Sequence, residues 1–102
     1  MALELKQTES FRLWERGLRD RRAQTLIAAR LLRLAEGLPG DVAPIGNGVS
    51  ELRIHHGPGY RVYFQRIGDA RILLPYGGDK ASQSRDIAKA KGLAEKWKES
   101  DG

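Results

Sequence analysis

The chain has no cysteine among its 102 residues. That excludes a disulfide framework, a Cys-ligated zinc and a cysteine nucleophile, and it fits a reducing compartment. Long hydrophobic runs are missing too. No stretch approaches the roughly 20 apolar residues that span a bilayer. The opening Met1-Ala2-Leu3-Glu4-Leu5-Lys6 lacks the basic start and apolar centre of a secretion signal. A cytoplasmic protein with no membrane association is expected. Hydrophobic residues make up 40% of the chain and aromatics 7%. At this length that supports one core and one domain, 1–102.

Acid is scarce relative to base. Eighteen Lys and Arg oppose thirteen Asp and Glu, a net charge of +5, and twelve of the eighteen cations are arginine. Arginine carries a planar, permanently charged fork that matches phosphate oxygens, so the bias favours a polyanionic partner, nucleic acid above all.

Leu3 to Thr8 alternates apolar and polar, the period of a short opening strand with Leu3 and Leu5 inward. Ser10 reads as an N-cap before a helix carrying Phe11, Trp14 and Leu18 on one stripe, which stops between Gly17 and Asp20. A second helix starts at Arg21, shows Ala23, Ile27, Leu31 and Leu34 on one face, and ends at Gly37 and Pro39. Residues Leu38 to Gly48, with two prolines and three glycines, read as a loop. Three strands follow, Ser50–His55, Tyr60–Arg66 and Ala70–Tyr76, as an antiparallel meander broken by Gly77-Gly78. Ser82 or Ser84 then caps a last helix with Ile87, Ala90, Ala94 and Trp97 at helical spacing. The order β-α-α-β-β-β-α implies an α+β layer, helices on one sheet face and the other face at least partly open.

The open face is the place to look for function. Placing Leu52, Ile54, Val62 and Phe64 against the helices leaves Arg53, His55, Arg61 and Tyr63 together on the far side, with Tyr63 near Arg53 and Arg61 near His55. Like charges across a ladder repel, and a bound anion relieves them. The set suits RNA: arginine for phosphate, an aromatic ring for a base, and imidazole for a proton near neutral pH. Lys80 follows Gly77-Gly78-Asp79 at the entrance to the last helix, where backbone can approach a phosphate closely. A Walker loop is absent. His55 and His56 point to opposite faces of a strand and cannot share a metal, and no cofactor is expected. Arg12, Arg16 and Arg19 form a basic helical stripe that reads as a solvated face, and Trp14 and Trp97 read as core.

The run Glu51-Leu52-Arg53-Ile54-His55-His56-Gly57-Pro58-Gly59-Tyr60-Arg61-Val62-Tyr63-Phe64, followed by Leu73-Leu74, Gly77-Gly78-Asp79-Lys80, Gln83 and Asp86-Ile87-Ala88-Lys89-Ala90, resembles the RelE/ParE toxin superfamily. The likeness is strongest to its HigB-like branch of addiction module killer proteins, and it covers about Leu3 to Trp97. The resemblance implies the toxin of a type II toxin–antitoxin pair, a metal-independent mRNA endoribonuclease that works at the ribosome and inhibits translation. Its implied partners are mRNA, the ribosome and a cognate antitoxin of helix-turn-helix type. Carried over by position, Arg53 and Arg61 clamp the scissile phosphate and Lys80 adds charge. His55 or Tyr63 serves acid/base or stacking roles, with Tyr76 an alternative phenol. The same fold also serves ParE-like toxins, which inhibit DNA gyrase without catalysis.

Overall fold

The computed structural model describes residues 2–101. Along the chain run β1 (Glu4–Gln7), α1 (Glu9–Arg16), α2 (Arg21–Ala35), β2 (Val42–Gly46), β3 (Val49–Ile54), β4 (Tyr60–Ile67), β5 (Arg71–Leu74), β6 (Gly77–Asp79) and α3 (Gln83–Asp101). This is the expected α+β order with two further strands, β2 and β6. The sheet is ordered β1-β5-β4-β3-β2, with β6 on the first part of β4. The β3–β4–β5 meander is antiparallel, and β1 joins β5 in parallel.

Local chemistry explains the helix starts. The cap of α1 is Thr8, not Ser10: its hydroxyl oxygen accepts from the Phe11 N–H at 3.0 Å and its O–H donates to the Pro75 carbonyl at 2.6 Å. One side chain thus begins the helix and ties it to the end of β5. Asp20 caps α2 through Oδ1, which accepts from the Arg22 and Ala23 N–H groups. At α3 the Ser82 carbonyl accepts the first helical bond, from the Asp86 N–H. Ser82 is therefore the cap, and Asp79 Oδ1 gathers the Ala81 and Ser82 N–H groups ahead of it.

Two segments read as breaks are strands. Residues 42–46 pair with β3, and Gly46-Asn47-Gly48 turns the hairpin with positive φ at all three residues. Pro44 is tolerated because β2 is an edge strand, where a missing N–H costs no ladder bond. Gly77 and Gly78 continue the sheet as β6 because helices close on both of its sides. A Cβ at Gly77 would run into the Trp14 ring of α1, and one at Gly78 into the Asp86 carboxylate of α3.

Both faces of the sheet are covered, which corrects the expectation that the helices share one face. Leu52, Ile54, Tyr60, Val62, Ile72 and Leu74 pack with Phe11 of α1 and Ala23, Ile27, Leu31 and Leu34 of α2. On the reverse face Val49, Tyr63 and Leu73 pack with Ala90 and Ala94 of α3, with Ile67, Ile87 and Trp97 around them. That second apolar set needs its own cover, and α3 supplies it. Beyond the start of α3 this face carries Arg53, whose side chain is 37% exposed. Among the described residues no helix is long and apolar enough to cross a membrane.

Candidate anion-binding site at the start of α3

The β3–β4 register sets Arg53 directly opposite Arg61, and β6 places Gly78 beside Arg61. The Arg53 N–H donates to the Asp41 carbonyl at 2.9 Å. Asp41, Arg53, Arg61 and Gly78 therefore form one row across four chain segments. Behind it lies the pair Glu51 and Tyr63. In front, a Cβ on Gly59 would touch that of Lys80 at 3.4 Å. His55 follows Ile54 at the end of β3. Lys80 is exposed and has no carboxylate partner among the described residues.

This register differs by two residues from the expected one. Tyr63 does not meet Arg53, and Arg61 does not pair with His55. Tyr63 is fully buried beneath α3, its hydroxyl without a hydrogen bond to any of the described residues. Burial, and then the nearby carboxylates of Glu51 and Asp86, push its pKa up, so the phenol stays neutral. Tyr76 is likewise occupied, with the Lys89 ammonium 4.4 Å from its ring centroid.

The charges are closely interleaved. Glu51, 1% exposed, accepts from Arg53 Nε at 2.9 Å through Oε2 and from Gln83 Nε2 at 2.8 Å through Oε1. Arg61 Nε lies 3.8 Å from the same Oε1, and Arg61 is itself buried to 9% exposure. Asp41 bridges outward: Oδ2 is 2.5 Å from His55 Nε2 and Oδ1 is 3.7 Å from Arg53 Nη1. Its carboxyl is held below the usual range, first by the His55 hydrogen bond and then by the Arg53 charge. His55, with a 73% exposed side chain, keeps its Nδ1 edge free of this contact.

The sequence groups Arg53, His55, Arg61 and Tyr63 on one sheet face and sets Lys80 apart at the entrance to the last helix; the structure buries Tyr63 and brings Lys80 in front of Arg61. The sequence-based grouping misses Glu51, Asp41 and Gln83, which organise the cations. The signal for Glu51 was its place two residues before Arg53, hence on the same strand face. Asp41 lay in a segment read as loop. His56, by contrast, turns away and pairs with Oδ2 of the Asp20 cap at 2.9 Å.

Comparison with known proteins bears on the fold. No family model matches the chain. A variant of the E. coli toxin RelE, solved in the free state, superposes with a TM-score of 0.69 at 18% identity, covering 87% of this chain and 97% of that one. The chain therefore has the RelE fold. An uncharacterized protein of Haemophilus influenzae is 41% identical over 95 residues, 93% of this chain and 96% of that protein. At that identity and coverage, the chain belongs to the same family as the Haemophilus influenzae protein.

Proposed function

We propose that this protein is the toxin of a type II toxin–antitoxin pair, of the HigB-like branch, and that it cleaves mRNA at the ribosome in the cytoplasm without a metal. The observation that carries the reading is the row of Arg53 and Arg61, with Lys80 in front of it, on a RelE fold. Arg53 and the largely buried Arg61 are paired in the ladder and Lys80 stands in front of them, a cationic row whose chemistry suits a phosphate.

The chemistry requires the ribose 2′-oxygen to bond to the adjacent phosphorus while the bond from phosphorus to the 5′-oxygen breaks. One proton leaves the 2′-hydroxyl and one reaches the departing 5′-oxygen. Arg53, Arg61 and Lys80 hold the phosphate and offset the charge that builds on its oxygens in the transition state. His55 is the group that exchanges a proton, oriented by Asp41 at Nε2 and presenting Nδ1. Tyr63 supports the row from below rather than touching RNA. A helix-turn-helix antitoxin silences the protein by covering the cationic area with acid.

The test is translation of a defined mRNA in a purified system, with and without ribosomes, mapping new 5′ ends by primer extension. New ends are expected only with ribosomes. Arg61→Ala should lower the cleavage rate by about a hundredfold, the scale of losing one preorganised charge stabiliser. Intact mRNA would overturn the reading, and inhibition of gyrase supercoiling would then place the protein with the ParE-like inhibitors.

A further inference from the structure

We propose that Glu51 is a positioning residue that aims Arg53 and Arg61 and mutes their charge, so that the site gives up affinity for RNA in return for cleavage geometry. The inference rests on the reading of the site as an RNA-cleaving one.

Glu51 is 1% exposed and cannot itself meet a substrate. A buried carboxylate is costly unless cations and donors surround it. Here they do, and the way they do so is informative. Glu51 accepts a hydrogen bond from Arg53 Nε at 2.9 Å and faces Arg61 Nε at 3.8 Å, a contact of charges that leaves this buried N–H without a hydrogen-bond partner among the described residues. A guanidinium carries five N–H donors in a rigid plane, so fixing the Nε edge dictates where the two Nη groups point. The Nη end of Arg61 reaches the front of the row, where a Cβ on Gly59 would lie 4.0 Å from Nη1 and 3.4 Å from Lys80 Cβ. The Nη1 of Arg53 lies toward Asp41, beside His55. Glu51 thus sits behind the row, fixing the Arg53 fork by a hydrogen bond and drawing the Nε edge of Arg61 toward itself by charge.

Two further contacts fix Glu51 itself. Gln83, the first residue of α3, donates to Oε1. This ties the helix start to the site, so that Lys80, three residues earlier in the chain, stays in reach of the row. Tyr63 stands opposite Glu51 in the ladder, and both side chains are buried there.

A carboxylate that both aims and neutralises has a signature distinct from one that only supports the fold. Glu51→Gln keeps the shape and removes the charge. Binding is read by titrating an RNA carrying a 2′-deoxy sugar at the cleavage position, and chemistry by single-turnover cleavage of the normal RNA. The variant is expected to bind the uncleavable RNA about threefold more tightly, with the salt slope steeper by about 0.7, because one more cation is free to meet phosphate. Cleavage of bound RNA should fall about tenfold, as the Nη groups lose their aim. Binding and cleavage falling together, in step with a lower folded fraction, would overturn the proposal, as would neither changing.

Gln83→Ala provides the second variant where Glu51→Gln folds poorly. It frees one carboxylate oxygen and leaves the charge, so cleavage should fall about threefold at an unchanged salt slope. Unchanged cleavage would overturn the proposal. The arms also separate this inference from the one beneath it. If the wild type cleaves no RNA, the functional reading fails and the aiming role with it, while the binding change in Glu51→Gln still reports whether Glu51 mutes the charge. If the wild type cleaves and Glu51→Gln cleaves as well, only the role of Glu51 falls.

Discussion

The buried phenol of Tyr63 lies under the site rather than in it. The Tyr63 hydroxyl is buried and has no hydrogen-bond partner among the described residues, and an unsatisfied buried polar group costs about 1–3 kcal/mol. Its raised pKa keeps it neutral throughout the physiological range. Tyr63→Phe should therefore leave the protein as stable or more stable, by up to about 1 kcal/mol, in urea unfolding. Cleavage should stay within about twofold of wild type, since the hydroxyl exchanges no proton with substrate. A large loss of cleavage in a well-folded Tyr63→Phe would mean that the hydroxyl is reached during the reaction.

The same residue shows how far the sequence is legible. Alternation along residues 50–55 and 60–66 tells which side chains share a face, and Leu52, Ile54, Val62 and Phe64 do pack together. Parity is all that burial determines. A shift of two residues leaves every face unchanged, so the pattern could not choose between Arg61 opposite His55 and Arg61 opposite Arg53. The connection chooses: Ile54 pairs with Tyr60, and positive φ at Gly57 and Gly59 lets the chain turn between them. Glu51 was visible as a residue, but its role depends on that register.

At the scale of elements, glycine carried a message that composition alone obscured. Gly77 and Gly78 look like a break, yet they are the places where α1 and α3 press on the sheet from opposite sides. Gly78→Ala would drive a methyl group into the Asp86 carboxylate, with Ser82 Oγ at 3.3 Å. Asp86 is buried and accepts a bond from that serine, so it has little freedom to retreat. Overpacking of this kind costs about 1–3 kcal/mol. The start of α3 is the element that must yield, and with it the Gln83 bond to Glu51. Gly78→Ala should therefore lower the urea midpoint and reduce cleavage further than the unfolded fraction explains. A variant with full stability would show that α3 shifts without strain. The second apolar face was legible in Val49, Tyr63 and Leu73, but only once a helix was required to cover it.

At the scale of the whole molecule, the carboxylates that organise this cationic protein also set its tolerance of acid. Asp20 is held below its ordinary pKa first by the His56 hydrogen bond and then by the helix N–H groups it caps, and Asp41 first by His55. A carboxyl whose folded pKa is depressed contributes stability that is present above its unfolded value, about 3.9, and is lost as pH falls through the folded value. Both pairs fail when the aspartates protonate. The chain carries +5 near neutrality, and each protonated carboxylate adds to the self-repulsion. Thermal unfolding followed from pH 6 to pH 2.5 should thus show a midpoint that drops steeply below about pH 4. Asp20→Asn should start lower at pH 6 and show a shallower fall, because it has already given up the charged cap that links α2 to the β3–β4 turn. Parallel curves for the two proteins would mean that the Asp20–His56 pair adds nothing to folding, and that this turn is held by its backbone alone.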